Sequence, residues 1–81
     1  MMSENMPHWD EELDAVGLIC PLPVLKARKR LLAMAPGQIL LLLASDPAAV
    51  IDVPHFCNEA GHDYLGMEDC GARQAYLIRR K

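Results

Sequence analysis

The chain has 81 residues, 52% of them hydrophobic and 23% charged, a balance that suits one folded domain and leaves no room for a separate substrate domain or a dinucleotide fold. Eight Lys and Arg against eleven Asp and Glu leave a net charge of −3, which argues against a protein that works by neutralising nucleic-acid phosphates. The longest apolar run, Ile39 to Ala44, is far below the ~18 residues of a membrane span, and no charged segment followed by an apolar one opens the chain, so a cytoplasmic protein with no membrane partner is expected.

Residues 1–10 carry no hydrophobic period and read as a flexible N-terminal tail from which Trp9 can dock; residues 11–81 read as the domain. From Glu11 to Val16, Leu13 and Ala15 alternate with Glu12 and Asp14, a short strand with one buried face that Gly17 ends. Pro21 to Ala35 reads as a helix: Val24, Leu25, Ala27, Leu31, Leu32 and Met34 recur at three- and four-residue steps, with Lys26, Arg28, Lys29 and Arg30 between them. Pro21 and Pro23 fit its first turn, where backbone N–H groups lack intrahelical acceptors, and Pro36-Gly37 stops it.

Gln38 to Ala44 shows no polar alternation, so this strand is central, with both faces covered or one serving as a contact surface. Asp46 is placed to cap a second helix and Pro47 to open it. Pro54 predicts an interruption, with a short turn from Ala48 to Asp52, a restart at Pro54 running to Ala60, and Gly61 as C-cap. His62 to Glu68 and Arg73 to Arg79 flank the turn-prone Asp69-Cys70-Gly71-Ala72, a closing hairpin. The order is βαβαββ, and right-handed crossovers put both helices on one sheet face, giving a two-layer α/β sandwich.

The segment Gly17-Leu18-Ile19-Cys20-Pro21-Leu22-Pro23 sets a thiol at a helix entrance, where the macrodipole and unpaired N–H groups favour an anion and lower a thiol pKa. The prolines remove two donors, leaving the Leu22 and Val24 amides to face a bound sulfur anion. A buried structural thiol is the bland alternative for any cysteine, but the end of a strand entering a helix is where open α/β sheets place their sites.

Leu13-Asp14-Ala15-Val16-Gly17-Leu18-Ile19-Cys20-Pro21-Leu22-Pro23 resembles the opening signature of the TusA/SirA sulfur-carrier family, whose hallmark is Cys-Pro-x-Pro. The resemblance continues through Pro36-Gly37, the apolar strand, Ser45-Asp46-Pro47-Ala48, Asp52-Val53-Pro54-His55-Phe56-Cys57 and Tyr76-Leu77-Ile78-Arg79, spanning roughly Leu13 to Arg80. It implies a mixed four-stranded sheet with two helices on one face. It also implies that Cys20 accepts sulfane sulfur as a transient persulfide, with no other cofactor, from a protein donor such as a cysteine desulfurase or a rhodanese. A downstream acceptor protein takes the sulfur on. By motif position Gly17, Pro21, Leu22 and Pro23 shape the persulfide site, and Asp46 occupies the place of a family acidic residue. Thiolation of a tRNA wobble uridine is the default pathway, with molybdenum-cofactor sulfur supply and sulfur oxidation using the same carrier chemistry.

The remaining candidates weigh less. Cys57 reads as a core thiol, and Cys70 as an exposed incidental thiol in the hairpin turn. His55, Cys57, His62 and Cys70 lack zinc-ligand spacing, so no metal is expected. Lys26, Arg28, Lys29 and Arg30 are either a solvated helix face or a docking surface beside Cys20, and a monomer is expected. The rival reading is a noncatalytic regulatory interaction module that uses the open face of the central strand together with this basic helix.

Overall fold

The computed structural model describes residues 8–81. In chain order the elements are β1 (Glu11–Ala15), α1 (Leu22–Leu32), β2 (Ile39–Ala44), α2 (Ala49–Ala60), β3 (Asp63–Asp69) and β4 (Gln74–Arg79). The sheet order is β1-β2-β4-β3, with β1 parallel to β2 and β4 antiparallel to both β2 and β3. This is the mixed four-stranded sheet expected from the βαβαββ pattern. Both helices cover the same face: Ala27 and Leu31 of α1 and Ala49, Val53 and Cys57 of α2 pack with Leu40, Leu42, Ala44, Tyr76 and Ile78.

The unbroken apolar run of β2 follows from its central place. Successive side chains of a strand alternate faces, so Leu40, Leu42 and Ala44 meet the helices, while Leu41 and Leu43 join Ala75 and Leu77 on the other side. Trp9, Ile39 and Cys70 pack against that second cluster, and Leu41, Leu43 and Leu77 are at most 5% exposed. Both faces of β2 are therefore covered. Each such leucine contributes about 1.5–3 kcal/mol by leaving water. Of the expected N-terminal tail, residues 1–7 lie outside the described residues. Trp9 docks, and Asp10 is tied to β2 by its own N–H donating to the Ile39 carbonyl (2.8 Å) and by the Ile39 N–H donating to its Oδ2 (2.8 Å).

Helix α1 is shorter than its apolar spacing predicts. After Leu32 the chain tightens, with the Ala33 and Met34 N–H groups donating to the Arg30 and Leu31 carbonyls, before Pro36-Gly37. The buried side is Pro23, Ala27 and Leu31, one residue per turn. Leu25 and Leu32, counted in the apolar stripe, are 49% and 62% exposed, because Leu25 falls half a turn away from Pro23 and Ala27.

Helix α2 corrects a second expectation: it runs unbroken from Ala49 to Ala60 through Pro54. Pro54 removes one donor toward the carbonyl of Val50, a residue that is 45% exposed. Burial of Ala49, Val53 and Cys57 at four-residue steps keeps the two halves on one axis. Gly61 closes the helix in the left-handed region at φ 83°, its N–H donating to the Cys57 carbonyl. No helix among the described residues is long and apolar enough to cross a membrane.

Candidate functional site

The parallel pairing of β1 and β2, with Ala15 opposite Ala44, brings the two strand ends side by side, and with them the segments leading into α1 and α2. The chain leaving β1 turns at Gly17, whose φ of 88° suits glycine and whose N–H donates to Ser45 Oγ at 2.9 Å. The Cys20 N–H donates to Asp46 Oδ2, and the other oxygen of the same carboxylate accepts the Ala48 N–H at 3.1 Å. Asp46 thus joins both helix entrances. Pro21, which follows Cys20 through a cis peptide bond, precedes the first residue of α1.

Cys20 is exposed, at the mouth of an open cleft of about 200 Å³ lined also by Pro21, Val24, Asp52, His55 and Phe56. Its Sγ–H donates to Asp52 Oδ2 at 2.9 Å. Pro21, Val24 and Phe56 make the cleft beside the thiol largely apolar.

The electrostatics reverse the sequence expectation. Cys20 is held above the ordinary thiol range, first by donating its hydrogen to Asp52, then by desolvation and by the charges of Asp52 and Asp46. A carboxylate touches the sulfur, a contact the helix-entrance argument does not include. The Leu22 amide, expected to face a sulfur anion, instead donates to the Ile19 carbonyl at 2.9 Å. The basic residues are not brought to the thiol either. Lys26, Lys29 and Arg30 line a separate groove with Leu13 and Ala33, Arg28 belongs to neither lining, and Arg30 pairs with Glu11 Oε1 and the Glu12 carbonyl, both at 3.3 Å. The Cys20 cleft has no basic side chain in its lining apart from the imidazole of His55.

Cys57 is buried in the core, and burial pushes its thiol up to about 11. Cys70, expected to be exposed, is half-buried against the second sheet face, its Sγ lying 3.8 Å from the Glu68 carbonyl and 3.9 Å from Glu68 Oε1. The turn folds it back onto the cluster of Leu41, Leu43, Ala75 and Leu77. Sequence reasoning missed Ser45, Asp52, His55 and Phe56. The last three stand at i, i+3 and i+4, one helix face, a signal hidden by the expected break at Pro54.

The arrangement offers an exposed sulfur with an unenclosed approach, which suits attack on a sulfur presented by another macromolecule more than enclosure of a small substrate. Residues 11–80 match the family model described as Sulfurtransferase TusA. The sulfur carrier protein TusA of Allochromatium vinosum is 41% identical over 75 residues, covering 93% of this chain and 99% of the relative. The fold is similar to the crystal structure of a SirA-like protein from Desulfitobacterium hafniense, with a TM-score of 0.76 at 21% identity, over 86% of this chain and 96% of that one.

Proposed function

The chain belongs to the sulfurtransferase TusA family, and on that premise we propose that it is a sulfur carrier that accepts sulfane sulfur on Cys20 as a persulfide and relays it to another protein. The observation that carries this reading is the position of Cys20: the one exposed cysteine, at an open cleft where two helix entrances meet.

In the loading step Cys20 loses the Sγ proton and its thiolate attacks the outer sulfur of the donor's persulfide. A new S–S bond forms at Sγ as the donor's S–S bond breaks, and the electron pair leaves on the donor's inner sulfur, which takes up a proton. In unloading, an acceptor thiolate attacks the outer sulfur now on Cys20, and Cys20 departs as thiolate and is reprotonated. Each step exchanges one S–S bond for another, so no outside oxidant or reductant is required. Gly17, Pro21, Leu22 and Pro23 fix the loop and helix start from which the sulfur projects. The Asp46 carboxylate holds the Cys20 backbone N–H and the Ala48 N–H.

The donor in this reading is a cysteine desulfurase or a rhodanese, the acceptor is a second protein, and the default outlet is thiolation of a tRNA wobble uridine. The persulfide is transient and no separate cofactor takes part. The rival interaction module needs the second face of β2 as a free surface, and Trp9 and Cys70 pack against that face. Incubation with a cysteine desulfurase and ³⁵S-labelled cysteine tests the carrier role. Label retained by the wild type, released by reductant and absent from Cys20→Ser supports it; equal labelling of Cys20→Ser overturns it.

A further inference from the structure

Exposed nucleophilic thiols are reactive toward oxidants and electrophiles in general, yet the Cys20 sulfur rests against a carboxylate. The Sγ–H···Oδ2 contact of 2.9 Å to Asp52 and the Asp46 carboxylate on the Cys20 N–H surround the sulfur with negative charge. The ionisable groups that face it are Asp46 ahead of α2 and Asp52 and His55 on α2, whereas Pro21 and, from α1, Val24 bring no charge. A thiolate formed here loses its hydrogen bond and meets a like charge at the same distance. Lys26, Lys29 and Arg30 line the other groove, Arg28 lines neither, and the one basic side chain in this cleft is the His55 imidazole, so a Lys or Arg set against the two carboxylates has to come from outside.

On the reading that Cys20 is the sulfur-accepting thiol, we propose that Asp52 is a positioning residue that keeps the thiol of the free carrier protonated. The thiol becomes a nucleophile when a docked protein sets a Lys or Arg side chain against the Asp46 and Asp52 carboxylates. The incoming cation pairs with Asp52, the Sγ proton passes to water, and the thiolate attacks the donor persulfide held in the same complex. After transfer, the charged outer sulfur is repelled by Asp52 and is directed out of the cleft toward the next acceptor. The apolar lining of Pro21, Val24 and Phe56 sets partner contact around this exchange. Reactivity is thereby confined to complexes whose partner face is apolar with a cation at its centre.

The test measures modification of Cys20, located by peptide mass, in the full chain carrying Cys70→Ser. It uses two thiosulfonates of similar size, one with a trimethylammonium group and one with a sulfonate, and neutral iodoacetamide across pH 6–10 as the third reagent. The wild-type site reacts with the cationic reagent about tenfold faster than with the anionic one. Asp52→Asn contracts that preference to about threefold or less, moves the iodoacetamide midpoint to lower pH and speeds alkylation at pH 7 by about threefold or more. Asp52→Glu restores the preference. At about 1 M salt, where the screening length is about 3 Å, the wild-type preference also collapses, which gives a readout free of any folding effect of the substitution. An unchanged midpoint in a folded Asp52→Asn protein, or a preference that survives high salt, overturns the proposal. Sulfur loading is a separate result: loading without these charge effects removes the role of Asp52 alone, and charge effects without loading remove the carrier reading alone.

Discussion

Replacing Tyr76 with Phe is expected to stabilise the protein. Tyr76 is fully buried between the sheet and the helices, and its hydroxyl has no hydrogen-bond partner among the described residues. A hydroxyl taken out of water and left unpaired costs about 1–3 kcal/mol, while the ring that fills the core is kept by Phe, so no large cavity opens. The net gain is about 1 kcal/mol against a total near 4–12 kcal/mol for a domain of this size, or about 4–8 °C in Tm. Urea denaturation followed by circular dichroism at pH 7 reads it. The pH dependence adds a second signature. Burial, with the nearby Tyr64, Asp46 and Asp69 charges, pushes the Tyr76 hydroxyl up to about 12, above the unfolded value of about 10. A raised folded pKa contributes stability that is complete below pH 10 and is lost as pH rises toward 12, so the advantage of Phe grows across that interval. A loss of 1 kcal/mol or more at pH 7 refutes the reasoning, because it means the hydroxyl is held by a partner.

Cys57, pushed up to about 11 by burial, makes the wild type lose on the order of 1–3 kcal/mol between pH 9 and pH 11; Cys57→Ala lowers stability at pH 7 but flattens that interval, as urea titrations at stepped pH will show. Gly17→Ala places a side chain at φ 88° with nothing within 4 Å of the new methyl, so its cost is conformational, about 1–2 kcal/mol; a Tm equal to the wild type contradicts this. Leu31→Ala, at a fully buried α1 position, costs about 2–5 kcal/mol in the same assay.

The fold was legible where one force decided each element. The run Ile39–Ala44 announced a central strand and Gly61 an α2 terminus, and both hold; the hairpin turn falls one residue later than Asp69–Ala72, since Asp69 ends β3 and the Cys70 N–H donates to the Arg73 carbonyl. The extent of α1 and the continuity of α2 were not, because they depend on tertiary packing: Ala27 and Leu31 decide which side of α1 turns inward, and Val53 and Cys57 carry α2 past Pro54. At the candidate site the local motif pointed to Cys20, Pro21 and Asp46, which do lie together. It did not reveal Asp52, whose contact with the sulfur spans 32 residues of chain, and so it gave the wrong sign for the thiol's pKa. The helix dipole is visible in sequence; the opposing carboxylate is visible only once α2 is in place.

Persulfide loading on Cys20 is read by intact mass after incubation with a cysteine desulfurase and cysteine, comparing the wild type with Cys20→Ser, Cys57→Ser and Cys70→Ser. A reducible gain of one sulfur atom is expected in every protein except Cys20→Ser. A gain that persists in Cys20→Ser, or that disappears in Cys70→Ser, contradicts it.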